Sequence, residues 1–164
     1  FGLRSMFEYD LLGDSDVEPA DMLSRMVLGG VRPIVAVSEK FRPMRRVLIA
    51  YGGSTRGAEA MKAFVRLRAW PEVSVRIVAC DDDHSRTALL LAEASKYCRA
   101  HGYEPELKTR MDAPRQGILA EAAEWDADLI VMGTSRGSVF SRAVFGTTAL
   151  EVIRAADRPL FLGR

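Results

Sequence analysis

Apolar positions in this chain follow two alternating rhythms from about residue 45 onward. Short continuous runs, Arg46–Tyr51 (RVLIAY), Val73–Cys80, Asp128–Met132 (DLIVM) and Leu160–Leu162, read as strands buried on both faces. Glu106–Arg110 reads as a weaker strand. Between them the spacing turns helical. Ala58, Met61, Phe64, Val65 and Arg68 form one row, and Ala88, Leu91, Ala92, Ser95 and Cys98 a second. Ile118, Leu119, Ala122 and Trp125 form a third.

Local signals mark where these elements start and stop. Ser54 or Thr55 can cap the first helix, and Trp70-Pro71 stops it. Asp81–Asp83 supply caps for a helix running to about His101, and Pro114 suits the first turn of the next. Thr148-x-x-Glu151 matches a capping box opening the last helix, which Arg158-Pro159 ends. Strands separated by single helices predict an α/β fold. The expected core is a five-stranded, Rossmann-like parallel sheet with helices on both faces. Ligands of such sheets collect at the carboxyl ends of the strands. Here those ends are Tyr51–Ser54, Ala79–Asp83, Arg110–Ala113 and Gly133–Gly137.

Residues 1–44 do not continue the alternation. Ala20–Val37 (ADMLSRMVLGGVRPIVAV) nevertheless resembles Thr147–Leu162 (TTALEVIRAADRPLFL) in order: a helix, a turn, Arg-Pro and an apolar strand. That order suggests an internal duplication, with an N-terminal helix–strand arm as the tail of a first copy. An unrelated arm is the other reading. The expected organisation is therefore 1–44 as arm plus linker and 45–164 as the complete unit. The strand Ile34–Val37 could then lie beside Leu160–Leu162, of its own chain or of a partner.

Composition narrows the classes. The length of 164 residues fits one domain, and 48% hydrophobic with 27% charged residues is ordinary globular usage. The net charge of +1 gives no field for nucleic acid or an anionic membrane, and neither is expected as a partner. No apolar run is long enough to span a bilayer, and no basic-then-apolar leader is readable. Cys80 and Cys98 lack metal or disulfide spacing and read as small core residues of a cytoplasmic protein.

The richest chemistry lies in Gly133–Thr148 (GTSRGSVFSRAVFGTT). Gly133 and Gly137 allow close approach of backbone to a ligand. Gly146 leads into free helix N–H groups beside the hydroxyls of Thr147 and Thr148, a arrangement suited to phosphate. Arg136 and Arg142 could add charge. A connection this long without structure of its own is uncommon unless it has a function. The same stretch holds Gly133-x-Ser135-x-Gly137, the serine-hydrolase elbow, but that fold needs a later histidine. The only histidines, His84 and His101, come earlier. Gly52-Gly53-Ser54-Thr55-Arg56-Gly57 fits neither the dinucleotide nor the Walker fingerprint: Ser54 replaces a glycine, and Ala58 stands where Walker loops have lysine. Asp81-Asp82-Asp83-His84 reads as a solvated helix start rather than a metal site.

These residues together resemble the universal stress protein family over about 45–164. The likeness rests on VLIAYGGS, ADLIVMG, the spaced glycines from Gly133 to Gly146 followed by Thr147, and the closing RPLFL. It implies a five-stranded sheet of the adenine-nucleotide alpha-hydrolase-like type and homodimers joined through the C-terminal edge strand. In many members it implies bound ATP or AMP, with Mg accompanying only ATP. The family's loop has the form Gly-x-x-Gly-x9-Gly-Ser/Thr. Gly133, Gly146 and Thr147 match it, whereas Arg136 occupies the second glycine position, with Gly137 one place later. The family's aspartate at the end of the first strand falls on Gly52. On this reading Gly133, Arg136, Gly137, Gly146, Thr147 and Thr148 surround the phosphates, and Gly52, Gly53 and Cys80 line the base and ribose end.

Two functions follow. One is a stress-response regulatory module that binds ATP or AMP and is not an enzyme. The other is a nucleotide-free domain serving dimerisation or protein interaction, its partner unspecified by the sequence.

Overall fold

The computed structural model describes residues 32–37, 41–134 and 147–163. The helix expected within residues 20–31 lies outside them. The elements are β1 (Ile34–Ala36), β2 (Arg46–Ala50), α1 (Thr55–Leu67), β3 (Ser74–Cys80), α2 (His84–Ala100), β4 (Glu106–Arg110), α3 (Pro114–Glu124), β5 (Leu129–Gly133), α4 (Thr147–Ala155) and β6 (Leu160–Gly163). One sheet joins the strands in the order β1-β6-β5-β2-β3-β4. Five strands are parallel, as expected from the sequence; β1 adds a sixth, antiparallel to β6.

The continuous apolar runs are explained by where they sit. Val47, Leu48 and Ile49 of β2, and Leu129, Ile130 and Val131 of β5, are fully buried at the centre of the sheet. Alternate residues feed two cores. Val47, Ile49, Ile77 and Phe161 pack with Phe64 of α1 and Leu91 of α2 on one face. Leu48, Val78, Ile130 and Leu160 pack with Ile118 of α3 and Val152 of α4 on the other. β4, at the free edge, is the most exposed of the parallel strands, which accounts for its weak apolar signal.

Polar groups fix the register at the strand starts. The Asp128 carboxylate accepts from the backbone N–H groups of Arg45 (3.0 Å) and Arg46 (2.9 Å) and ties the entry of β5 to that of β2. Arg158 is buried and donates to the carbonyls of Ala122 (2.6 Å) and Ala127 (2.9 Å) at the end of α3. The expected caps also appear. Ser54 Oγ accepts from Gly57 N–H at 3.0 Å, Asp83 accepts from Arg86 N–H at 3.0 Å, and Pro114 opens α3.

Three readings are corrected. The buried face of α2 is Thr87, Leu91, Ala94, Ser95 and Cys98, while Ala88 and Ala92 are exposed. Thr87 can be buried because its hydroxyl donates to the Asp83 carbonyl at 2.6 Å. On α1, Gly57 and Ala60 are buried, while Ala58 is half-buried and Arg68 exposed. Small residues are needed there because α1 crosses the sheet directly over Gly133 and Gly163. Finally, α4 begins at Thr147, so Thr148 lies inside the helix rather than at the cap of a capping box.

Candidate functional site

The chain leaves β2 toward β3 and β4 on one side, then returns to place β5 and β6 on the other. The strand order therefore reverses between β2 and β5. A crevice opens at the carboxyl ends of strands where such a reversal occurs. It is present here as a cavity of about 250 Å³. A larger, more open depression of about 600 Å³, lined by Met44, Arg45 and Trp70 among others, lies toward the opposite ends of the strands. It lacks the converging helix starts of the crevice.

Three helices direct their first turns at the crevice. Ser54, Arg56 and Gly57 come from the start of α1, Pro114 and Ile118 from α3, and Thr148 from α4. None of the three helices carries an acidic residue in its first turn, so the positive ends of their dipoles are unopposed there. The floor is apolar: Ala50, Val78, Ile118 and Met132. The rim carries the hydroxyls of Ser54 and Thr148 and the Arg56 guanidinium, which pairs with Glu59 at 3.0 Å. Ser54 and Arg56 were not among the site residues expected from the sequence. Ser54 reads from the sequence as a helix cap at the end of the first strand, and both belong to the Gly52–Gly57 turn that fits neither phosphate fingerprint.

Of the residues expected at the site, Gly52, Cys80, Gly133 and Thr148 line the cavity. Thr147 begins α4. Arg136, Gly137 and Gly146 lie outside the described residues, as do Ser135 and Arg142. Gly53 does not line the cavity. It has φ +81°, and a β-carbon there would stand 2.9 Å from the Leu90 side chain, so it serves the turn.

The glycines differ in what they do. A β-carbon on Gly133 would lie 2.3–2.5 Å from the backbone of Arg56 and Gly57. The missing side chain thus lets α1 start against the end of β5, a packing role beyond the ligand approach expected from sequence. Gly52 is the opposite case: a β-carbon there meets nothing within 4 Å. Cys80 lies beneath the first turn of α3, where a β-carbon on Gly117 would stand 2.6 Å from its sulfur. Burial pushes its thiol up to about 11, against a smaller lowering by Arg110. Cys98, buried under α2, is pushed up to about 11 by the same cause.

The histidines and the acidic run have structural surroundings. His84 opens α2, and His101 Nδ1 lies 2.9 Å from the Tyr97 carbonyl. Asp81 accepts from Asp83 N–H and pairs with Arg86 at 3.3 Å. No cluster of metal-ligating side chains occurs among the described residues.

The universal stress protein family model matches residues 43–162, most of the chain and all of its parallel sheet. The chain belongs to this family. Its fold is similar to that of the universal stress protein from Archaeoglobus fulgidus, with 25% identity and a TM-score of 0.63 over 75% of this chain and 100% of that one. An Archaeoglobus fulgidus universal stress protein in complex with dAMP is 24% identical, with a TM-score of 0.58 over 76% of this chain and 100% of that one. A universal stress protein family protein from Arabidopsis thaliana with AMP bound is 18% identical, with a TM-score of 0.58 over 72% and 90%. No curated protein sequence gives a significant match. Among the described residues of this universal stress protein, no helix is long and apolar enough to cross a membrane.

Proposed function

We propose that this domain binds an adenine nucleotide, AMP or ATP, in the crevice between β2 and β5 and works as a regulatory binding module. The observation that carries this reading is the convergence of three helix starts and the Arg56 guanidinium on one apolar-floored cavity. Such a site holds an anion at its rim and a flat apolar group on its floor. The family relatives crystallised with dAMP and AMP support the choice of ligand. Mg would enter only with the phosphates of ATP.

Binding rather than catalysis suits the lining groups. Hydroxyls, one guanidinium and a thiol pushed up to about 11 can hold an anion but do not exchange protons at neutral pH. A stress-response role in the cytoplasm accords with the family and with the reduced cysteines. Calorimetric titration of AMP, and separately of ATP, into protein freed of nucleotide tests the proposal. Saturable binding of either is expected, and no binding of both would overturn it.

One observation favours a second reading. Gly52 leaves the end of β2 without the carboxylate that the family resemblance implies there. A domain whose site had lost its ligand would act through its surfaces alone.

A further inference from the structure

Gly52 and Arg56 line the same crevice, one just after β2 and the other in the first turn of α1. Gly52 contributes space, since a β-carbon there meets nothing within 4 Å. Arg56 is the one cation among the described lining residues, and no carboxylate lines the cavity with it. In doubly wound sheets the sugar of an adenine nucleotide is read by one of two devices. A carboxylate accepts hydrogen bonds from the ribose hydroxyls and repels a phosphate in their place. A nearby arginine instead admits that phosphate. The end of β2 has the second arrangement.

Arg56 can turn to such a group. Its present partner, Glu59 at 3.0 Å, lies one helical turn away, and the two side chains are 38% and 43% exposed. An ion pair this open to water contributes little. A guanidinium can hold a phosphate through two parallel N–H···O bonds, which is the stronger arrangement. Ser54 adds a donor: its oxygen accepts from Gly57 N–H at 3.0 Å, and its own hydroxyl proton is left for a ligand.

We propose that the β2 end of the crevice is a second phosphate subsite, and that the preferred ligand is an adenosine 5′-phosphate carrying another phosphate on a ribose hydroxyl. Arg56 and Ser54 hold the sugar phosphate, and Gly52 gives it room. Thr148, at the start of α4, is left for the 5′-phosphate. This ligand class rests on the nucleotide reading above and refines its sugar.

Calorimetric titration of AMP, ATP, adenosine 2′,5′-bisphosphate and adenosine 3′,5′-bisphosphate into the whole chain tests this. One of the two bisphosphates is expected to bind roughly tenfold or more tighter than AMP, the gain from charge-assisted hydrogen bonds, and tighter than ATP. The isomer that binds tighter identifies the hydroxyl concerned. Gly52→Asp fills the open position with a carboxylate and should reverse the order, making AMP the tighter ligand. Arg56→Gln, on the exposed side of α1, should bring the bisphosphate down to the affinity of AMP. Equal affinities for AMP and both bisphosphates would overturn the second subsite and leave the nucleotide reading intact. ATP as the tightest ligand would overturn it too, by giving Arg56 to a polyphosphate chain, and so would a bisphosphate preference that survives both substitutions. Binding of none of the four would overturn both readings.

Discussion

The backbone nitrogen of Gly57 lies 2.4 Å from the place a β-carbon on Gly133 would occupy. The first turn of α1 is thereby seated on the end of β5, and both sides of the crevice are positioned by one contact. Backbone cannot move aside as a flexible side chain can. Gly133→Ala should therefore lower stability by about 1–3 kcal/mol, the usual range for overpacking. Denaturant unfolding reads this directly. The same variant should weaken nucleotide binding, because Arg56 and Ser54 shift with α1.

Gly52 offers the reverse substitution. Nothing lies within 4 Å of a β-carbon there, and its backbone is outside the positive-φ region. Gly52→Asp should fold with unchanged stability. It would also return to the end of β2 a carboxylate that can accept hydrogen bonds from a ribose. A hydrogen bond to a charged group contributes roughly 1.5 kcal/mol or more, so AMP affinity should rise roughly tenfold. Titration of both proteins side by side checks this; equal affinities would show that the ligand does not reach Gly52.

Glu121 is buried on α3 and bridges two strands. It accepts from Arg76 of β3 at 2.7 Å and from Arg110 of β4 at 3.0 Å. Arg76 also pairs with Glu106 and lies 4.4 Å from the centre of the Trp125 ring. The hydrogen bonds that Arg110 donates to Glu124, Asp112 and Glu121, in that order, hold its pKa above its usual value. Removing the shared carboxylate strands two partly buried guanidinium groups. Glu121→Ala should cost about 2–4 kcal/mol, below the most severe losses because each arginine keeps another carboxylate. Nucleotide affinity should be unchanged, since Glu121 does not line the crevice.

Cys80 lines the crevice yet should be unreactive. Its thiol, raised to about 11 by burial, is almost wholly protonated at neutral pH. Labelling by a thiol reagent at pH 7 should be slow in the folded protein and fast after unfolding. The sign of the stability effect follows. The contribution is fully present below the unfolded thiol value of 9.0 and is lost as pH rises through about 11. Alkaline unfolding should thus steepen between these values, and substitution of Cys80 by Ala should flatten that part of the curve.

Much of the parallel sheet was readable from the sequence because its signals are local. RVLIAY and DLIVM announce strands covered on both faces, and Ser54, Asp83 and Pro114 mark helix starts by their own chemistry. What escaped depends on contacts between distant segments. Glu121 looks like a surface acid on α3 until Arg76 and Arg110 are brought over it by β3 and β4. The expected stripe of α2 holds at Leu91, Ser95 and Cys98 but has Thr87 and Ala94 in place of Ala88 and Ala92, because Thr87, a polar residue, is buried through its bond to the Asp83 carbonyl. The candidate site was legible at Gly52, Cys80, Gly133 and Thr148, which stand at strand ends or helix starts. Arg56 was not, because its position at the rim follows from where α1 crosses β5. Gly53, expected at the base and ribose end, has a positive φ and approaches Leu90, features of a tight turn that no local pattern announces.

An adenine nucleotide seated between β2 and β5 is detected most directly by chemical-shift mapping of isotope-labelled protein during AMP titration. Saturable shifts are expected at the amides of Gly52, Gly57, Gly133 and Thr148, with Trp70 and Val73 at the far end unmoved. Shifts confined to the far end, or none anywhere, would contradict it.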